Sequence, residues 1–128
     1  VEFIDNLKPS LSEEEKELLY HLAHEFNFHP GYPEGMESYL VGLLAEGRQS
    51  GEELEPWLRR RVAKDFRCLN GPPEWIQAPA WPLSDGKPMI FVGQVDVARD
   101  VGIFHDDSSF YVFVGQDDRE TETIIQVY

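Results

Sequence analysis

At 128 residues, with 41% hydrophobic and 12% aromatic side chains, the chain is long and apolar enough to build one folded core, which excludes a disordered chain. Its formal net charge of −13 opposes binding to nucleic acid or an anionic membrane unless a local basic patch intervenes. No apolar run approaches the roughly 20 residues of a membrane helix, and no basic-then-apolar signal segment opens the sequence.

Residues 1–7 carry Phe3, Ile4 and Leu7, enough to dock as an arm. Ser10 and Ser12 precede Glu13 and Glu15 at the capping-box spacing, so a first helix is expected over about 11–26, with Leu11, Leu18, Leu19, Leu22 and Phe26 on one stripe. Pro30, Gly31, Pro33 and Gly35 break it. A second helix is expected over about 34–46, buried through Met36, Tyr39, Leu40, Leu43 and Leu44 and stopped by Gly47. Ser50 with Glu53 reads as another capping box, opening a third helix to about Cys68 with Leu54, Trp57, Leu58, Val62 and Phe66 inward.

Residues 71–88 form a connector in which Pro72, Pro73, Pro79, Pro82 and Pro88 forbid helix. Trp75 and Trp81 lie between them as large apolar anchors, either core or pocket wall. Residues 87–97 are the best strand candidate. Met89, Phe91, Gly93, Val95 and Val97 share one face; Ile90, Val92, Gln94 and Asp96 share the other. Two apolar faces predict an internal strand. A short strand is expected at 103–105, a strong one at 109–115 and a last one at 122–128, joined by short turns into an antiparallel meander. The expected fold is therefore a single α+β domain: three N-terminal helices packed on a C-terminal antiparallel sheet of about four strands.

Cys68 is the lone cysteine, so neither an internal disulfide nor a cysteine metal cluster is possible; a buried structural thiol in a reducing cytoplasm is expected. His21 and His24 are helix neighbours that could pair with Glu25 or His29 as metal ligands, but the spacing is also that of an ordinary polar flank. His105, Asp106 and Asp107 could make an acid/base or oxygen-ligand cluster, but Asp-rich tips are ordinary turn chemistry. Arg59, Arg60 and Arg61, with Lys64 and Arg67, form the one basic run, which reads as a helix face balanced by nearby glutamates. No nucleophile elbow, phosphate loop, dinucleotide fingerprint or calcium loop occurs, so no catalytic residue, metal or cofactor is assigned.

Gly71, Pro72, Pro73 and Trp75, then Trp81-Pro82, Gly86 to Met89, and Phe91 to Asp96, followed by Tyr111-Val112-Phe113, resemble the YwqG-like family of bacterial proteins over about residues 71–114. The family's usual longer β-rich domain would make this chain a short or divergent member. The resemblance implies no established activity and carries over no catalytic residues.

Two readings of function follow. The first is a non-enzymatic interaction module for a basic protein partner, one form of which is an acidic bacterial immunity protein neutralising a basic toxin. Its contact surface would include the turns at Asp106-Asp107 and Asp117-Asp118 and the helix start at 13–15. The second is a small-molecule binder or enzyme, with a pocket between the helices and the sheet lined by Trp75, Gln77, Trp81, Gln94 and Asp96.

Overall fold

The computed structural model describes residues 12–99, 106–117 and 119–128. The expected arm at residues 1–7, the short strand at 103–105 and Asp118 lie outside them.

Helix α1 spans Glu13–Phe26. Its capping box forms as expected: the Ser12 hydroxyl accepts from the Glu15 N–H at 3.1 Å, and Glu15 accepts from the Ser12 N–H at 3.1 Å. Arg48 also reaches Glu15, at 2.7 Å. Arg48 and the cap hold the Glu15 carboxyl below its ordinary value of 4.5. A carboxylate depressed on folding stabilises above its unfolded pKa, and that contribution fades as pH falls through the folded value. Glu15→Gln is therefore expected to cost about 1 kcal/mol at neutral pH. Urea midpoints of the two proteins should converge between pH 5 and 3; a gap that persists in acid would exclude this ionic contribution.

Helix α2 spans Met36–Gln49 and α3 spans Leu54–Asp65. Gly47 does not end α2. It is buried within the helix, where an added Cβ would lie 2.7 Å from Leu54 and 2.9 Å from Trp57, so glycine is there to let α3 approach. The expected capping box at Ser50 does not form either. Ser50 turns back to donate to the Gly47 carbonyl at 2.7 Å, Glu53 occupies the cap position without a side-chain bond, and the helix starts at Leu54. Helix α3 stops at Asp65, before Cys68, because residues 67–70 turn to line a strand.

Strands β1 (Leu83–Ser84) and β2 (Lys87–Pro88) make a small antiparallel ribbon. Strands β3 (Ile90–Val97), β4 (Ser108–Val114) and β5 (Thr121–Val127) make an antiparallel sheet in the order β3-β4-β5. The chain is α+β, with its helices in the N-terminal half and its sheet in the C-terminal half.

The expectation that residues 87–97 form an internal strand is corrected: β4 is central and β3 is an edge. The outer side of β3 is nevertheless paired at Phe91 and Val92, near its start. Phe91 donates to the Arg67 carbonyl and accepts from the Leu69 N–H, both at 2.9 Å, and the Asn70 amide donates to the Val92 carbonyl at 2.9 Å. A bulge between Phe91 and Gly93 shifts the register, so Phe91, Gln94 and Asp96 share the face that carries Tyr111 and Phe113.

The core is one cluster joining both halves. Trp81 lies at its centre, fully buried, with Phe66, Phe91 and Phe113 at ring-centroid distances of 5.2, 6.2 and 5.4 Å. Its indole N–H donates to the Met89 carbonyl at 2.8 Å. The opposite face of the sheet carries Val95, Val112 and Ile125, and Val95 there is 58% exposed.

Candidate functional site

The connector crosses the inner face of the sheet at its Asp96 end, held by side chains rather than by strand pairing. The Gln126 carbonyl oxygen accepts from the Ile76 and Gln77 N–H groups at 3.0 and 2.9 Å, and its amide donates to the Ala78 carbonyl at 2.9 Å. The Tyr111 hydroxyl donates to the Glu74 carbonyl at 3.0 Å and accepts from Ile76 at 3.1 Å. Gln94 pairs with the Glu74 backbone, accepting at 2.8 Å and donating at 3.2 Å. The Trp75 ring lies 4.4 Å from Tyr111, and its N–H donates to the Asn27 carbonyl at 2.8 Å.

This strapping leaves an open cleft of about 680 Å³ between the connector and the end of the sheet, walled by Glu74, Trp75, Gln94, Asp96, Asp107 and Tyr128 among others. Asp96 is fixed in it. Its Oδ1 accepts from the Ser109 hydroxyl at 2.5 Å and from the Gln94 amide at 2.8 Å. These two donors hold its pKa below the ordinary carboxylate value, so it is ionised throughout the neutral range. Among the described residues no Lys or Arg pairs with it. Asp107 contributes a second carboxylate, which accepts from the Arg99 N–H at 2.9 Å.

Of the five pocket residues expected from sequence, Trp75, Gln94 and Asp96 meet in this cleft. Gln77 instead lines a separate groove of about 460 Å³ beside β5, with His29, Tyr32, Pro79 and Ile124 among its walls. Trp81 lines neither: it is a core residue, because its side chain fills the space between Phe66 and the sheet. The cleft holding Trp75 lies between connector and sheet, not between helices and sheet as expected. A cleft of about 590 Å³ does lie between α2, α3 and the sheet's turns, but with other residues. There Tyr39 donates to Asp65 at 2.5 Å, and burial with that carboxylate pushes the phenol far up, out of reach of neutral-pH proton transfer.

Sequence reading missed Ser109, Tyr128, Tyr111 and Gln126. The available signal was an amide, Gln126, at a core-facing position of an alternating strand beside Ile124.

The acidic turns differ. Asp106 and Asp107 are exposed, whereas Asp117 is paired with Lys87. At the start of α1, Glu13 pairs with Lys16 at 3.2 Å and Glu15 with Arg48. The arginine run is neutralised as the glutamate pattern suggested: Arg59 meets Glu25 at 2.5 Å, Arg60 meets Glu52 at 2.6 Å and Arg61 meets Glu46 at 2.6 Å. Cys68 is half-buried, and burial pushes its thiol pKa up, which disfavours the reactive thiolate. Among the described residues no three His, Cys, Asp or Glu side chains converge as a metal site, and no helix is long and apolar enough to cross a membrane.

No family model, curated protein or solved structure matches the chain.

Proposed function

We propose that this chain is a protein-interaction module whose acidic cleft receives basic side chains of a partner protein. Asp96 carries the reading: an ionised carboxylate, already oriented by Ser109 and Gln94, stands in an open cleft with no cation of its own among the described residues. Pre-orientation lowers the cost of ordering the side chain when a lysine or arginine arrives. Trp75 and Tyr128 offer aromatic surface for its stem or guanidinium. Residues 71–128 carry 3 basic and 10 acidic side chains, so the surrounding field has the sign that attracts such a partner. The finer proposal is neutralisation of a basic toxin by a cytoplasmic protein of YwqG-like type; that resemblance brings no activity with it, so the reading rests on the cleft.

The expected result, with a partner obtained by affinity capture, is an association rate that falls as salt rises beyond about 0.15 M, where the screening length is about 8 Å. Asp96→Asn should speed dissociation by loosening the seated cation, whereas Asp106→Asn with Asp107→Asn should mainly slow association. Stopped-flow mixing across a salt series separates the two. A salt-independent rate, or a partner whose contact surface is acidic, would overturn the proposal. A thermal-shift response to small metabolites but to no protein would favour the small-molecule reading instead.

A further inference from the structure

The two edges of the sheet are treated differently. The β3 edge is broken by a bulge and is occupied at Phe91 and Val92 by residues 67–70. The β5 edge is regular, with no register shift against β4. Gly115 donates to Glu120 and Tyr128 donates to Asp107, which turns the even-numbered residues of β5 towards β4. The odd-numbered residues Thr121, Thr123, Ile125 and Val127 therefore point their N–H and C=O groups outward. Only the Val127 carbonyl has a hydrogen-bond partner among the described residues, the Gln77 amide at 2.7 Å. Strand β5 reads TETIIQV, without the proline, lysine or bulge that ordinarily blunts a free edge. Thr121 and Thr123 are exposed, and Ile125 is 47% exposed.

The groove beside this edge supplies what backbone pairing alone lacks. His29, Tyr32, Pro79 and Ile124 wall it, and Tyr32 is 54% exposed there. Burial pushes the His29 pKa down, so the groove wall adds no positive charge at neutral pH. A strand laid along Thr121–Ile125 would place alternate side chains over the groove and over the exposed Ile125 face.

We propose that the β5 edge is a strand-addition site, which takes an extended segment of a basic protein as a fourth strand and seats an apolar side chain of that segment in the groove. This rests on the reading of the chain as a module for a basic partner. Charge decides between occupants. A second copy would bring another −13 and set one Glu122-bearing strand beside another. A lysine- or arginine-bearing segment meets Glu122 with the opposite sign.

The probe is a capped peptide alternating lysine and valine, with a second peptide of the same sequence N-methylated on the amides that would face β5. Amide exchange by NMR reads the edge directly. In the free protein, Thr121, Thr123 and Ile125 should exchange fast. The first peptide should slow all three at least tenfold, and the N-methylated one should leave them unchanged. Thr123→Pro should abolish the protection; Ile125→Lys serves the same purpose if the proline variant fails to fold. If both peptides bind equally and perturb only residues around Asp96, strand addition is overturned while the basic-partner reading stands. Failure of both peptides to bind would overturn strand addition, and the partner reading would then rest on the salt series alone. Edge amides already protected in the free protein, with a dimer in sedimentation, would show that the occupant is a second copy and overturn the proposal.

Discussion

Replacing Trp81 with alanine is expected to remove about 3–5 kcal/mol of stability. The indole is fully buried and touches the helical layer through Phe66 and the sheet through Phe91 and Phe113, so truncation opens a cavity where the two halves meet. It also strips the Met89 carbonyl of its donor. A domain is typically stable by only about 5–15 kcal/mol, so the variant should be marginally folded at room temperature. Trp81→Phe separates the two effects: most of the packing stays, and the orphaned carbonyl costs about 1–3 kcal/mol. Urea unfolding followed by circular dichroism measures both. A loss below about 1 kcal/mol for the alanine variant would mean that Trp81 does not join the layers as described.

Gln126→Leu should also be destabilising, for a different reason. Leucine fills similar space but offers no hydrogen bond. The Gln77 N–H and the Ala78 carbonyl then lose their partners, while the Ile76 N–H keeps Tyr111. Gln77 and Ala78 are exposed, so water takes up part of the deficit and the loss is expected to be roughly 1–3 kcal/mol. Because Gln126 and Tyr111 hold the same stretch, Tyr111→Phe should be non-additive with it in a double-mutant cycle. Amide exchange at Ile76 and Gln77 gives an independent reading, since a loosened strap exchanges faster than the sheet beneath it. A Gln126→Leu protein as stable as the parent, with those amides still protected, would show that the connector is held by packing instead.

How much of this was legible follows from what a sequence pattern encodes. The Ser12–Glu15 cap was readable because it is complete within one turn. Ser50 and Glu53 have the same spacing, yet Ser50 bonds back to Gly47, a choice set by how tightly α2 and α3 meet. The apolar residues at 89–93 marked a strand, of which the Met89 and Phe91 side is buried. They could not show that it was an edge, because alternation reports what lies above and below a sheet, not what lies beside it. The neighbour beside it is the backbone of residues 67–69, whose pairing leaves no side-chain signature. Trp75 and Trp81 occupy like settings in the connector, and only the folded path puts one at the cleft and the other in the core. Gln94 and Asp96 were readable as a pair two apart on one strand face, whereas Ser109, which completes the site, comes from the neighbouring strand.

The strap has a consequence for the order in which the chain assembles. Its bonds join residues far apart in sequence: Trp75 reaches back 48 positions to Asn27, and Gln126 reaches back 50 to Ile76. The β4–β5 ladder, by contrast, closes across one short turn. Each doubling of loop length adds about 0.6 kcal/mol of closure entropy, and the groups that receive the strap must already be aligned to receive it. Gln126 and Tyr111 face the same way only once their strands have paired. The connector should therefore settle onto a hairpin already made, and be the first part to lift away from it. Trp75 would then report that detachment while Trp81, held in the core, reports only global unfolding.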